Sequence, residues 1–120
     1  MTPKKLVENF YKPDVLLDPE LTASFLHDDV VLEWHSSKGF LKLGKAEIVA
    51  LCTELSKAYI RSKARIANIL AEGDLVSLRY SHYVKTIENP REEMLLAHFI
   101  VIWEVRDGKL LRGYQMSQLS

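Results

Sequence analysis

The most readily titrated side chains of this 120-residue sequence are four histidines, at positions 27, 35, 82 and 98. An imidazole titrates near pH 6.5, so modest changes of surroundings poise it to take or return a proton close to neutrality. Three of the four fall in strand-like stretches. His35 ends the segment VVLEWH, with Glu33 two residues earlier and therefore on the same strand face. His82 shares a face with Tyr80 and Leu78, and His98 stands in the middle of the apolar run Met94–Trp103. If these faces line one interior, His35, His82, His98 and Glu33 form an acid–base set. Glu33 would fix an imidazole tautomer or, buried, serve as the acid. Tyr80 and His82 would donate hydrogen bonds to a developing oxyanion. Such a set performs proton transfer beside a carbonyl: isomerisation, cyclisation or dehydration. A lone histidine on an apolar strand is more often a satisfied core residue, so the convergence of three carries this reading. His27, beside Asp28 and Asp29 at a helix end, is read as exposed.

The same strand phase adds Ile100 and Gln115 to the lining of the pocket, and the stripe of the long helix adds Tyr59. Three histidines and a carboxylate can hold zinc or iron. No close His-x-His or His-x₃-His spacing is present, so neither metal nor cofactor is expected. Cys52, the single cysteine, falls on a buried helical stripe and reads as a small core residue.

The elements that must position these groups follow from periodicity. Thr2–Pro3 and Asp18–Pro19 each read as an N-cap followed by proline at the first helical position. The first helix carries Leu6, Val7, Phe10 and Tyr11, and the second carries Leu21 and Phe25 and closes at Asp28 and Asp29. Residues 30–35 alternate as a strand, and a polar loop runs through Gly39. Residues 44–59 form the clearest helix, with Ile48, Leu51, Cys52, Leu55 and Tyr59 on one stripe. Four strands then follow, at 62–71, 75–87, 94–103 and 110–118, with turns at Glu72–Gly73–Asp74, Asn89–Pro90 and Asp107–Gly108. Helices followed by a run of strands indicate α+β, here a cone-shaped, strongly curved sheet wrapped around a long helix and two shorter N-terminal ones.

Residues 94–103 are apolar on both strand faces, whereas a half-exposed antiparallel strand is apolar on one. One face is assigned to the interior. The other, with Phe99, Val101 and Trp103, is assigned to a second copy of the chain; Trp34 and Met116 share the convex phase and read as packing or interface.

The chain is 48% hydrophobic and 27% charged, with sixteen basic and sixteen acidic residues that form no blocks, and its length suits one domain, residues 1–120. Nucleic acid and anionic membranes draw on clustered Lys and Arg, so neither is an expected partner. The apolar run is half of the roughly 20 residues a spanning helix needs. The segment MTPKKLVENFY has no apolar signal core, and the expected compartment is the cytoplasm.

FLHDDVVLEW, GKAEI, HFIVIWEVRDGKLLRGY and the order of elements together resemble the nuclear transport factor 2-like superfamily, in its SnoaL-like branch. The likeness covers nearly the whole chain. It implies a cystatin-like cone with a cavity between the long helix and the concave sheet face, a small, largely apolar organic ligand, and homodimers paired through the convex face. The ketosteroid isomerases of this superfamily place a general-base aspartate where His35 falls, a tyrosine where Phe10 or Tyr11 falls, and an acid donor where Ile100 falls. The resemblance therefore implies Tyr11 as a substrate contact and a histidine in place of the base. It leaves open a cyclase, isomerase or dehydratase, a non-enzymatic ligand-binding or sensing protein, and a structural dimer whose cavity is filled by side chains.

Overall fold

The computed structural model describes all residues from Met1 to Ser120. Helix α1 (Pro3–Phe10) is capped by Thr2, whose hydroxyl accepts from the Lys5 amide at 3.2 Å. After a 3₁₀ turn at Val15–Leu17, helix α2 (Pro19–Phe25) is capped by Asp18, which accepts from the Leu21 amide at 3.1 Å. Both caps satisfy amides that have no partner within their helix. Strand β1 (Leu26–Ser36) turns into β2 (Gly39–Leu43), and helix α3 (Lys45–Ala58) leads to β3 (Tyr59–Glu72), β4 (Leu75–Thr86), β5 (Met94–Arg106) and β6 (Lys109–Leu119). At the start of α3 the Glu47 carboxylate reaches back to accept from the Gly44 amide at 3.1 Å.

The six strands form one mixed sheet in the order β2-β1-β6-β5-β4-β3. β3 to β6 are an antiparallel meander, while β1 lies parallel to β6 and joins the two ends of the chain. The last hairpin turns through Asp107 (φ 55) and Gly108 (φ 70), the two left-handed residues that match the twist of the flanking strands. The three helical segments cover one sheet face. Leu6, Val7 and Phe10 from α1, with Tyr11 just beyond it, pack there against Leu26, Val30, Leu32, Val76, Leu78, Val101, Trp103 and Leu110.

Several expectations need correction. Residues 39–43 are not loop but the edge strand β2, whose register places Lys42 beside Glu33 and Phe40 beside His35. Helix α2 ends at Phe25, so His27 stands in β1, half-buried between Asp29 and Asp107. Helix α3 ends at Ala58, and Tyr59 opens β3 opposite Thr86.

The largest correction concerns strand phase. In β1 the inward residues are Val30, Leu32 and Trp34, while His35 is exposed on the outer face and pairs with Met116 in register. Glu33 shares that face beside Tyr114. In β5, Leu96 is an extra residue between the pairs Tyr83–Leu95 and His82–Ala97. This bulge brings Leu96 and Ala97 to the interior in succession and reverses the alternation beyond it. Phe99, Val101 and Trp103 are consequently buried in the core and not on the outer face, and His98, Ile100 (54% exposed) and Ile102 (41%) are outside and not in the pocket.

Candidate functional site

Between the helices and the inner sheet face lies a hollow of about 140 Å³. α1 and the 3₁₀ turn give it Phe10, Tyr11 and Leu16, and α3 gives Ile48, Leu51, Cys52 and Leu55. The sheet contributes Leu32 and Trp34 from β1, Tyr80 and His82 from β4, Leu96, Phe99 and Trp103 from β5, and Gln115 from β6. Leu16, Trp34, Leu51, Leu55 and Leu96 are its half-buried members.

Four polar side chains define what the hollow can do. Tyr11 and Tyr80 lie with ring centroids 4.8 Å apart, and the Trp103 indole N–H donates to the Tyr11 hydroxyl at 2.8 Å. Burial pushes the Tyr11 hydroxyl well above the ordinary phenol range, outweighing the hydrogen bonds from Trp103 and Tyr80 that favour its anion. Burial, and then the neighbouring Tyr11, raise Tyr80 as well. Both phenols therefore remain protonated donors. Trp103 is held in place by Gly113: a Cβ there would stand 2.6 Å from Cζ3 of the indole and 2.7 Å from Leu32 Cδ1. The Tyr80 ring stacks on Phe99 at 4.9 Å and 4°.

His82 is 4% exposed, and its Nε2 lies 2.7 Å from the Ser62 hydroxyl, itself buried. That hydroxyl has no other acceptor, so we assign it as the donor to Nε2, which puts the ring proton on Nδ1. Nδ1 has no protein partner, yet Asn9 Oδ1 is the one sealed side-chain polar atom without a partner, so Nδ1 borders open space. Burial lowers the His82 pKa to about 4, and the imidazole is neutral at physiological pH. Ser62 is pinned in turn by Asp14, whose amide donates to the Ser62 carbonyl at 2.8 Å and whose carboxylate accepts from the Ser62 amide at 2.9 Å. Asp14 makes both contacts from a left-handed conformation, φ 67. Gln115 is 7% exposed, and its side-chain amide makes no hydrogen bond within the protein and, like Nδ1, borders open space. Cys52 also faces the hollow, and burial raises its thiol pKa, which leaves it a poor nucleophile.

The structure thus brings Tyr11, Tyr80, His82 and Gln115 together. It does not bring His35, His98 or Glu33 to them. His98 pairs with Ser81 at 3.0 Å in a groove on the outer face, and the His35 ring packs tilted against Phe40, centroids 4.6 Å apart. Leu78 faces inward but fills the core, Ile100 is outside, and Tyr59 does not reach the hollow. Two polar groups went unnoticed in the sequence. Ser62 is the first inward position of β3, a buried hydroxyl in an alternating strand. Trp103 lies inside, and not on the outer face that alternation gives it, because of the bulge at Leu96, which carries no sequence signature. No three His, Cys, Asp or Glu side chains gather in a way that could hold a metal ion.

The SnoaL-like domain model matches residues 7–113. Solved structures with the same fold include IdmH, a candidate polyketide cyclase from Streptomyces antibioticus, at 15% identity and a TM-score of 0.76, covering 98% of this chain and 92% of that one. An epoxide hydrolase from M. tuberculosis, described as LEH-like, matches at 19% identity and a TM-score of 0.72, covering 96% and 81%. A protein with a ketosteroid isomerase-like fold from Catenulispora acidiphila, in complex with trimethylamine, matches at 12% identity and a TM-score of 0.73, covering 95% and 85%. At these identities the likeness concerns the fold. No protein of curated function matches the sequence.

Proposed function

We propose, from the premise that this chain belongs to the SnoaL-like family, that it binds a small, largely apolar organic compound through one oxygen-bearing group in the hollow beneath α3. The observation that carries this reading is a buried void with apolar walls into which two unpartnered polar groups open, the His82 Nδ1–H and the Gln115 amide. A hollow that served only packing would be lined throughout by apolar side chains, whereas these two groups keep their hydrogen-bonding capacity free for what enters. A carbonyl or hydroxyl oxygen placed there is met by neutral donors, His82 and Tyr11, and no carboxylate faces it. Binding without turnover is the reading that this donor-rich, base-poor set favours.

Proton transfer is the second reading, and one observation supports it. In the other tautomer, with Nε2–H donating to the Ser62 oxygen across the same 2.7 Å contact, Nδ1 is a free base facing the hollow that takes a proton from one substrate carbon and returns it to another. One experiment separates the two. Incubating cyclohex-2-enone with the protein in D₂O and following its protons by NMR reads binding from line broadening and turnover from loss of the exchangeable C–H signals. Broadening without exchange marks a binding protein. Exchange that disappears in His82→Gln marks a catalyst.

The outer sheet face is read as the seat of a second copy of this chain. Ile100, Ile102, Tyr114 and Met116 (64% exposed) adjoin one another across β5 and β6, the two central strands. β1 with Glu33 flanks them on one side and β4 with Arg79 on the other. A two-fold axis parallel to the strands between β5 and β6 would lay β4 of one copy over β1 of the other, which brings Arg79 toward Glu33. Ile100, Ile102, Tyr114 and Met116 stand in this proposed contact in place of Phe99, Val101 and Trp103, which lie in the core. No helix of the protein is long and apolar enough to cross a membrane, and we read its compartment as the cytoplasm, in keeping with the lone unpaired thiol of Cys52.

A further inference from the structure

We infer that the ligand is an uncharged compound of a single six-membered ring carrying a hydroxyl or carbonyl, and that Gln115 is the residue that selects it. The inference rests on the binding reading above and narrows it to a chemical class.

Size comes first. Pockets for drug-sized ligands measure roughly 300–1,000 Å³, whereas an apolar protein cavity of about 150 Å³ is filled by benzene. At about 140 Å³ the hollow matches one ring. It has no room for the fused rings of a steroid or an aromatic polyketide.

Shape and charge come next. Phe10, Tyr80, Phe99 and Trp103 supply aromatic walls, with Tyr80 and Phe99 already stacked nearly parallel, and such surfaces suit a flat or gently puckered ring. Thirteen of the fifteen lining residues are apolar, and none carries a charge at neutral pH. A carboxylate or ammonium entering here would lose its hydration with no counter-charge to replace it. The ligand is therefore neutral.

The polar handle is set by Gln115. Its side-chain amide presents N–H donors and a carbonyl acceptor, makes no hydrogen bond within the protein and opens on the hollow. A hydroxyl on the ring satisfies both halves, donating to Oε1 and accepting from Nε2. A ring carbonyl uses the donor half together with His82 Nδ1–H. Benzene itself leaves the amide unpaired, so the site discriminates in favour of the oxygenated ring.

Both tryptophans of the chain, Trp34 and Trp103, line the hollow, so their fluorescence reports occupancy directly. Titration with phenol, cyclohex-2-enone, benzene, benzoate at pH 7, 1-naphthol and a four-ring steroid tests the inference. Phenol and cyclohexenone are expected to bind, benzene more weakly, and benzoate and the steroid at least tenfold more weakly than phenol. Gln115→Leu is expected to lower phenol affinity about tenfold and to preserve or improve benzene binding, which also shows that the pocket remains folded. Leu51→Ala is expected to admit 1-naphthol. Naphthol or steroid binding to the unaltered protein as tightly as phenol overturns the single-ring assignment and leaves the binding reading standing. Equal phenol affinity in Gln115→Leu overturns the role of the amide. Failure of every probe, large and small, overturns the binding reading itself and this inference with it.

Discussion

The Trp103 indole N–H and the Tyr11 hydroxyl meet at 2.8 Å, joining the end of α1 to the centre of the sheet across 92 residues. With the hydrogen bond from Tyr80, this bond fixes the direction of the Tyr11 hydroxyl at the hollow. Replacing Trp103 by Phe retains most of the aromatic bulk and removes the donor. We expect a loss of about 1–2 kcal/mol in stability, as for one buried hydrogen bond with its partner left unpaired, read from denaturant unfolding. Phenol binding should weaken in the same variant. Unchanged stability and unchanged binding would show that the contact is incidental.

Gly113 sets the position of that indole. In Gly113→Ala the new methyl would stand within 2.8 Å of two indole carbons and of Leu32, closer than real contacts allow. Overpacking of this kind costs about 1–3 kcal/mol, and the displaced indole should also lose its bond to Tyr11. A shift of Trp103 fluorescence alongside a lowered denaturation midpoint would be the signature. A variant with native stability would mean that the sheet spreads locally to take the methyl group.

His82 should leave a mark on the pH dependence of stability. Its native pKa is lowered to about 4, against about 6.5 in the unfolded chain. Between these values the unfolded state holds the extra proton, so stability rises with pH through this window. The contribution is fully present above about pH 6.5 and is lost as pH falls through 4, with an upper limit of roughly 3 kcal/mol at 1.36 kcal/mol per unit. His82→Gln should flatten the slope between pH 4 and 6.5, measured as denaturation midpoints across that range. An unchanged slope would place the responsible group elsewhere.

Ser62→Ala isolates the other half of that pair. It leaves Nε2 of a buried imidazole without its partner, and a destabilisation of about 1–3 kcal/mol is expected. Ser62→Thr keeps the hydroxyl and should restore much of it. If alanine and threonine behave alike, the serine is a space-filler.

The oligomeric state tests the outer face. Ile100→Asp should give a monomer by light scattering where the unaltered protein gives a dimer. Arg79→Glu should weaken the dimer, and adding Glu33→Arg should recover it if the two charges meet across the two-fold. A monomeric unaltered protein would sink the assignment at once.

Much of the architecture was legible in the residues. Thr2–Pro3 and Asp18–Pro19 announce their helices, the Asp107–Gly108 turn its hairpin, and the mixed α+β order follows from the change of period after α3. The inner lining of β4 and β6, with Tyr80, His82 and Gln115, also follows from alternation. What failed was the phase of β1 and β5. In β1 plain amphipathicity already points Glu33 and His35 outward, and grouping them by chemistry overrode it. In β5 both faces are apolar, so alternation carries no information there, and one extra residue at Leu96 decides which half is inside. Such a bulge depends on the register of β4 beside it, which no local pattern reveals.

The placement of β6 governs when this protein can fold. Five of the six strands are synthesised before residues 109–119, yet β6 lies third in the sheet, between β1 and β5. Until it emerges, β1 with its hairpin partner and the growing β3–β5 meander have no edge in common, and the wall carrying Gln115 does not exist. Until β6 is in place both half-sheets keep unpaired edges, and the parallel β1–β6 pairing, between residues about 80 apart in sequence, is expected to be a slow step of folding.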